Sequence, residues 1–345
     1  MTASTFGTVR PPAEQPAPPA ARPHPPHPPH PPHLPHLPHL PAVWGHGPWT
    51  STVPSELVHR AAVAEVMLTD WRRLAETRFT MRAQWPRGHS FFTPLGGNHD
   101  PLIAAETIRQ AGALLAHAEF GVPFGHQFLL EELTLTVEPG RLRVGRAPAA
   151  LDLDVTCTEV TRRGRRLAGL RYETTLLREG QPAGRGRISF SVVAPAVYRR
   201  LRPARVFTPA HTPIPLTAPV APQSVGRLSP ADVVLSPTPR PNRWQLRADM
   251  RHPVLFDHHV DHIPGMVLLE AARQAATAVL NQPAVLPQHL TAQFTRYAEL
   301  DRPCLIDALR LSHHTPGQPD TVLVIGHQDN EPVFTTTLTT TPTTP

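Results

Sequence analysis

Two short runs of this sequence place a carboxylate and a guanidinium at the same spacing. Residues 106–111 read Glu-Thr-Ile-Arg-Gln-Ala, and residues 270–275 read Glu-Ala-Ala-Arg-Gln-Ala. In each run the Glu and the Arg stand three positions apart, which puts both on one face of a helix. A buried carboxylate can act as a general base if burial raises its pKa, and a guanidinium fork suits a phosphate. We therefore predict a polar site with two catalytic carboxylates and two substrate-binding guanidinium groups: Glu106 and Glu270, with Arg109 and Arg273.

The same pairs have a second interpretation that involves no chemistry. An ion pair between adjacent turns of a helix can fix how two helices pack. Four charges on two related helices can also neutralise one another at an interface between them. The residues alone leave both interpretations open, and they do not show which of the two pairs would be catalytic.

The two runs belong to a longer internal repeat. One begins at Glu106 and the other at Glu270, almost half the chain apart. Three further stretches recur in the same order and at nearly the same separation: 64–68 with 231–235, 79–83 with 244–248, and 87–92 with 251–256. A repeat of this length indicates two related domains rather than a solenoid of small units.

Each repeat contains one long apolar segment that should form a buried helix. Asp100 and Pro101 have the residue types of an N-cap and a first helical position, so the first helix should run from 101 to about 118. The second should run from Pro264 to about 280. Alternating or β-branched stretches predict strands at 58–69, 78–85, 127–137, 151–160, 167–177, 185–193, 231–235, 242–250, 290–300, 305–312, 322–327 and 333–340.

A long apolar helix followed by antiparallel strands, made twice, predicts an α+β architecture. An antiparallel sheet wrapped round a central helix is the hot-dog fold, so we predict a tandem double hot-dog. The predicted domains are a hot-dog at 53–198 and another at 224–340, joined by a Pro/Arg-rich linker at 199–223. Residues 1–52 are rich in Pro and His and are predicted to be a disordered extension.

Composition excludes several classes of function. The chain has 345 residues and 33 Lys plus Arg, and since it contains no Lys, lysine chemistry such as a Schiff base is excluded. Its formal net charge is +6, but the Arg residues are scattered, so no nucleic-acid partner is predicted. No apolar stretch suits a membrane span or a secretory signal, and the two cysteines, Cys157 and Cys304, show no metal spacing. We expect a cytoplasmic protein with no membrane partner.

A group of histidines stands just before the second apolar helix, with aspartates between them. Their spacing fits no familiar zinc pattern, so loop and capping roles are expected instead. We predict no metal and no cofactor. The group comprises His252, His258, His259 and His262, with Asp257 and Asp261.

The helix start His-Ile-Pro-Gly-Met-Val-Leu-Leu-Glu-Ala at 262–271 is similar to that of hot-dog acyl-carrier-protein dehydratases. In that family a catalytic His lies 14 positions before the acidic residue. Here those positions hold Phe92 and Phe256, so a dehydratase would lack its main base. The resemblance implies that backbone N–H groups at the helix start polarise a carbonyl, which makes Gly265 a candidate substrate-binding residue.

A closer resemblance is to the A-factor biosynthesis (AfsA-like) double hot-dog family. It rests on Leu-Val-His-Arg at 57–60, Gln-Trp-Pro-Arg-Gly-His-Ser-Phe-Phe at 84–92, and the stretches 100–121 and 257–275. The resemblance implies an acyltransferase of γ-butyrolactone signal biosynthesis. Such an enzyme joins a β-ketoacyl group, carried as a thioester on acyl carrier protein, to a hydroxyl of dihydroxyacetone phosphate. The alternatives are a non-catalytic acyl-ligand binding or regulatory protein and a hot-dog acyl-thioester dehydratase.

Overall fold

Two helices occupy the centre of the fold, and their sequences explain why they are buried. In the computed structural model, which describes residues 51–202, 213–282, 285–311 and 318–342, helix α1 spans Pro101–Leu114 and continues into a π-helical turn at Leu115–Glu119. Every residue of α1 is buried except Arg109. The predicted start is confirmed, because the Asp100 side chain accepts a hydrogen bond from the N–H of Leu102 at 2.9 Å.

The remaining helices differ in size and burial. A short helix, α2, spans Pro195–Leu201, and the second apolar helix, α3, spans Gly265–Leu280. In α3 only Gly265, Ala278 and Val279 are not buried. Asn281 ends α3 in the left-handed conformation, with φ of 50°. Among the described residues, no helix is both long enough and apolar enough to cross a membrane.

Twelve strands form one continuous antiparallel sheet. In the first half they are β1 Leu68–Arg73, β2 Arg78–Trp85, β3 Gln127–Val137, β4 Ala149–Arg163, β5 Arg166–Arg178 and β6 Gln181–Val193. In the second half they are β7 Leu235–Pro237, β8 Arg243–Leu246, β9 Val285–Phe294, β10 Leu305–Arg310, β11 Asp320–Gln328 and β12 Glu331–Pro342.

The two halves connect their strands in the same way. The sheet order is β1-β2-β4-β5-β6-β3-β9-β12-β11-β10-β8-β7, so the second half repeats the order of the first, read from the opposite edge. The halves join where β3 pairs with β9, with Thr134 opposite Thr291. The internal repeat seen in the sequence therefore corresponds to one supersecondary plan used twice.

Several predicted elements need correction. Residues 58–69 do not form one strand, because two short 3₁₀ turns at Ser55–Val58 and Val63–Glu65 precede β1. The strand expected at 242–250 ends at Leu246. Helix α2 was not predicted at all, and it starts inside the first predicted domain. The expected extension at 1–52 lies almost wholly outside the described residues, as does the middle of the expected linker.

The register of the repeat also needs correction around His89 and His252. In each case Nδ1 accepts hydrogen bonds from the backbone N–H groups two and three positions later, at 3.0 to 3.2 Å. Nε2 faces an acidic side chain, Glu65 at 3.3 Å and Asp232 at 3.2 Å. The two histidines are therefore equivalent. The repeat read from the sequence, 87–92 with 251–256, pairs His89 with Pro253 instead and is one residue out of register here. Both cap the loop that follows them, and for His252 this is the role that the sequence suggested.

Candidate active site

The fully buried carboxylate of Glu106 is the centre of a polar cluster in the first half. It accepts hydrogen bonds from Arg60 Nε at 2.9 Å, from Arg109 Nε and Nη2 at 2.9 and 2.7 Å, and from Gln110 Nε2 at 2.7 Å. Arg109 and Gln110 come from α1, one turn after Glu106. Arg60 comes from the loop before β1. The predicted pair of Glu106 and Arg109 is therefore joined by a second guanidinium group.

Glu270 is the centre of an equivalent cluster in the second half. It accepts from Arg227 Nε at 2.8 Å and from Arg273 Nε and Nη2 at 2.9 and 2.6 Å, and Gln274 also donates to it. Arg227 takes the place of Arg60, in the register that aligns 64–68 with 231–235. The two clusters match group for group, as the repeat predicts.

Each cluster reaches into the other half of the molecule. Arg60 Nη1 donates to the backbone oxygen of Val254 at 3.0 Å, and Arg227 Nη1 donates to the backbone oxygen of Phe91 at 2.6 Å. Val254 and Phe91 are equivalent residues in the corrected register. The exchange is reciprocal, as expected of a pseudo-twofold arrangement, and it ties the two halves together at their centre.

Sequence reasoning did not select Arg60 or Arg227, although a signal for both was present. A Val stands two positions before each Arg, at 58 and at 225, and both stretches fall in the repeat. Arg60 and Arg227 are the same distance apart in the sequence as the repeated stretches 64–68 and 231–235, and this marks them as a pair.

The two carboxylates do not have the raised pKa that a general base needs. Burial alone would raise the pKa of Glu106, but the charges of Arg109 and Arg60 outweigh it and lower the pKa from 4.5 to about 2. For Glu270 the effect of burial is likewise outweighed by Arg227 and Arg273, and its pKa falls to about 2. The expectation of a raised pKa was wrong, because each carboxylate lies between two guanidinium groups. The catalytic role of Glu106 and Glu270 stays a prediction.

These clusters lie in a fold with known relatives. The family model for the A-factor biosynthesis hot-dog domain matches the chain twice, over residues 46–194 and 210–344. The chain belongs to that family. The resemblance drawn from the sequence is thereby confirmed, and the large antiparallel sheet with few helices is a hot-dog fold.

Two curated members of the A-factor biosynthesis family are similar over most of the chain. The 2-oxo-3-(phosphooxy)propyl 3-oxoalkanoate synthase of Streptomyces virginiae is 58% identical over 285 residues, which are 83% of this chain and 96% of that protein. The synthase of the same name from Streptomyces griseus is 40% identical over 290 residues, which are 82% and 93% of the two chains. Among solved structures, an oleoyl thioesterase from Lactobacillus plantarum is 11% identical, with a TM-score of 0.49 over 78% of this chain and 98% of that one.

The two clusters of this family member differ in their access to solvent. The Arg109 side chain is 23% exposed, whereas the Arg273 side chain is 2% exposed. Both carboxylates are fully buried, and Arg227 is also closed off at 1% exposure. A solute can therefore reach a guanidinium group of the first cluster, while the second cluster is sealed.

Asp100 lies near the second cluster. It is fully buried, and it lies close enough to Arg273 and Arg227 for their charges to act on it. Burial nonetheless raises its pKa, and its Oδ2 has no hydrogen-bond partner among the described residues. The equivalent position in the other half is Pro264, which carries no carboxylate, and the first cluster has Asp257 near it instead.

A loop of the second half lies against the open cluster. The carboxylate of Asp257 accepts from the backbone N–H groups of Ala61 and Ala62, at 2.6 and 3.0 Å. Both residues directly follow Arg60. His258 lies beside Asp257, with its Nδ1 at 3.5 Å from Oδ2. The surroundings of Arg109 are therefore built from both halves of the chain.

The remaining predicted residues do not come together as a metal site. Asp261 binds His262 at 2.7 Å and accepts from the Tyr198 hydroxyl of α2, away from the capping position of His252. Among the residues that the structure describes, no group of three or more His, Cys, Asp or Glu could hold a metal ion. Helix α3 starts at Gly265, one residue after the predicted start at Pro264, and no side chain caps that start.

Proposed function

We propose that the chain is an acyltransferase of γ-butyrolactone signal biosynthesis. It joins a β-ketoacyl group, delivered as a thioester on acyl carrier protein, to a hydroxyl of dihydroxyacetone phosphate. The name of the relatives supports this, because a 2-oxo-3-(phosphooxy)propyl 3-oxoalkanoate is the ester of a β-keto acid with dihydroxyacetone phosphate. The product class thus requires an enzyme that binds a phosphate and a thioester together.

The finer architecture is part of the proposal. Each half, 53–198 and 224–340, is taken as one hot-dog domain with its helix, α1 or α3, in the centre of its own part of the sheet. Residues 199–223 link the two, and 1–52 form an extension outside them. The repeated strand order and the double match to the family model support this division.

The exposure of Arg109 is the observation that carries the proposed site. It is the only residue of α1 that is not buried. Its Nε and Nη2 are engaged by Glu106 and by the backbone oxygen of Val58, the latter at 3.2 Å. Nη1 has no such partner among the described residues, so it can donate to a phosphate that arrives from solvent.

Glu106 serves this site by holding Arg109 in place. With its pKa lowered to about 2, Glu106 stays ionised at neutral pH, and both of its oxygens already accept hydrogen bonds from arginine or glutamine side chains. Bidentate contact fixes the guanidinium plane, which orients the free edge of the fork for a phosphate. The equivalent pair, Glu270 and Arg273, is proposed to be structural, and its burial supports this.

Gly265 is proposed to help at the thioester. Backbone N–H groups in the first turn of α3 carry the positive end of the helix dipole, and no side chain caps them. An added Cβ at Gly265 would lie 3.1 Å from Leu130 Cδ2 and 3.6 Å from Phe294, so the position has little room for a side chain. A carbonyl oxygen placed there would be polarised for attack by the hydroxyl.

Mass spectrometry of the reaction tests the proposal. Purified protein is incubated with a β-ketoacyl thioester on acyl carrier protein, with or without dihydroxyacetone phosphate. The expected result is an ester of the phosphate substrate that forms only in the complete mixture. Release of free keto acid at the same rate in both mixtures would indicate a thioesterase, and thioester binding without any product would indicate the non-catalytic protein.

A further inference from the structure

Two histidines of the first half meet beside Arg109. Nε2 of His59 lies 2.6 Å from Nε2 of His117, and both rings pack on Phe128, with centroids 4.6 and 5.3 Å away. His59 follows Val58, whose backbone oxygen accepts from Arg109. His59 is only partly buried. An imidazole that solutes can reach therefore lies next to the proposed phosphate-binding group.

The hydrogen bonds of the pair determine which nitrogen is free. The backbone oxygen of Val122 can only accept, so the proton lies on Nδ1 of His117, 2.7 Å away. Burial lowers the pKa of both histidines, so both are neutral near pH 7. Nε2 of His117 must then accept a proton from Nε2 of His59. The nitrogen left with a lone pair is Nδ1 of His59.

The second half lacks this pair at both equivalent positions. Gly226 takes the place of His59, and Asn281 takes the place of His117. His59 and Gly226 both adopt the left-handed conformation, with φ of 54° and 68°. Glycine reaches this conformation without strain, whereas a side chain with a Cβ is disfavoured there. The first half thus places an imidazole where the backbone favours glycine.

We propose that His59 is the general base of the acyl transfer and that His117 is a positioning residue that fixes its tautomer. This inference rests on the function proposed above. It assigns the proton transfer to a residue other than Glu106 and Glu270. It also gives a chemical difference between the two clusters. An accessible guanidinium group and a free imidazole nitrogen lie together at the first cluster, whereas the second cluster has Gly226 in place of His59.

The proposed step conserves atoms and electrons. Nδ1 of His59 takes the proton of the substrate hydroxyl while the oxygen attacks the thioester carbonyl carbon, and a C–O bond forms. The tetrahedral intermediate collapses, and the C–S bond breaks. The proton then passes from His59 to the departing sulfur, so the products are the phosphorylated ester and the free carrier thiol. His59 returns to its neutral state.

Substrate binding would strengthen this base. Burial, followed by the charge of Arg109, lowers the pKa of His59 to about 3. A phosphate dianion on Arg109 offsets that charge and so raises the pKa. The groups that face His59 from the elements around it are Arg109 and His117 of the first helix, Arg60 of its own loop and His258 of the second-half loop, next to Asp257.

Substitution of His59 tests the inference directly. His59→Gly installs the residue of the equivalent position, so the backbone keeps its conformation while the imidazole is lost. We expect kcat to fall by about 100-fold or more, with little change in KM for dihydroxyacetone phosphate. Asparagine also tolerates the left-handed conformation, so His59→Asn is the second variant if the glycine variant proves too flexible to purify. It should show the same fall in kcat with little change in KM.

Imidazole added to the His59→Gly protein supplies a readout that a structural role would not produce. We expect it to restore part of the lost turnover in proportion to its concentration. His117→Asn should lower kcat less, by roughly tenfold, since His59 remains but its tautomer is no longer fixed. His289→Asn is the control, because this residue lies on β9 and hydrogen-bonds to Thr136 and Thr291, away from the His59 pair. It should leave kcat unchanged.

The outcomes separate the inference from the function on which it rests. If the wild-type protein makes the ester and folded His59→Gly and His59→Asn proteins turn over at near wild-type rates, His59 is not the base, although the acyltransferase stands. A loss of turnover that imidazole does not restore in either variant also contradicts the inference. If the wild-type protein makes no ester at all, both the function and the inference fail.

Discussion

Arg109 and Arg273 hold equivalent positions, but their different exposure gives them different tasks. Arg109 keeps a free edge for a ligand, whereas Arg273 uses its donors on Glu270 and is closed off from solvent. Removing one partner of a buried pair leaves the other charge without compensation, which is more costly than losing a surface pair. The structural task of the second cluster can therefore be measured as stability.

Arg273→Ala should lower the free energy of unfolding by about 3–5 kcal/mol, measured by chemical denaturation. Arg187→Ala is the control, since Arg187 and Glu173 form an ion pair with side chains 44% and 50% exposed. Arg187→Ala should lower the free energy of unfolding by less than about 1 kcal/mol. An equal fall in the free energy of unfolding in the two variants would show that the buried cluster contributes no more stability than a surface ion pair.

The lowered pKa of Glu270 predicts how stability depends on pH. A carboxyl group that is more acidic in the folded state stabilises the fold above its unfolded pKa, and the stabilisation is lost as pH falls through the folded pKa. For Glu270 the window runs from about 4.5 down to about 2. Thermal denaturation between pH 6 and pH 3 should show a smaller change in Tm for Glu270→Gln than for the wild type. If Tm falls equally with pH in the wild type and in Glu270→Gln, the ionisation of Glu270 is not the origin of the acid sensitivity.

At the scale of elements, close contact between α1 and β6 sets where the helix lies. Gly186 in β6 faces Ile108, and a Cβ added there would lie 2.6 Å from Ile108 Cδ1 and 2.8 Å from the backbone oxygen of Thr134. Backbone cannot move aside as a flexible side chain can. The glycine therefore permits the approach of helix and sheet that carries Glu106 and Arg109 into place.

Gly186→Ala should destabilise the protein by about 1–3 kcal/mol, because overpacking forces α1 away from the sheet. Gly140→Ala is the matched control, since nothing lies within 4 Å of its added Cβ. Differential scanning calorimetry of both variants decides the point. If the Gly186→Ala protein has the same melting temperature as the Gly140→Ala control, the helix adjusts to the added methyl group without loss of stability.

Elements with a strong local signal were predictable from the sequence. The N-cap pair at 100–101 marked the start of α1, and the alternation at 151–155 marked β4. The segment before β1 was not predictable. Its two 3₁₀ turns and the left-handed His59 are determined by packing against α1, and no periodic sequence pattern marks them. Helix α2 is seven residues long, too short for periodicity to stand out.

At the scale of the whole molecule, the repeat predicted two polar clusters but not their asymmetry. The second cluster has the buried Asp100 near it, and this residue belongs to the other half. The wall of the first cluster comes from Asp257, which lies 196 residues from Ala61 in the chain. No local pattern encodes such contacts. The pKa of the two glutamates was mispredicted for the same reason, since Arg60 and Arg227 are brought in from 46 and 43 residues away.

The N-terminal extension should be dispensable for the folded unit. A segment so rich in Pro and His buries too little apolar surface to offset the entropy of ordering. A chain that starts at Val53 is expected to keep the melting temperature and the turnover of the full-length protein. A fall of several degrees, which corresponds to about 1 kcal/mol, would show instead that the extension docks on the enzyme.

The binding of dihydroxyacetone phosphate to the Arg109→Ala protein tests the central claim most directly. Arg60 still pairs with Glu106 in this variant, so the protein should stay folded, with a lower melting temperature because the buried carboxylate loses one of its two guanidinium partners. Loss of a charge-assisted contact to the phosphate is worth about 2–5 kcal/mol, so calorimetric titration should give a Kd more than about tenfold higher than that of the wild type. An unchanged Kd in a folded Arg109→Ala protein would contradict the account, and the open cluster would not be the phosphate site.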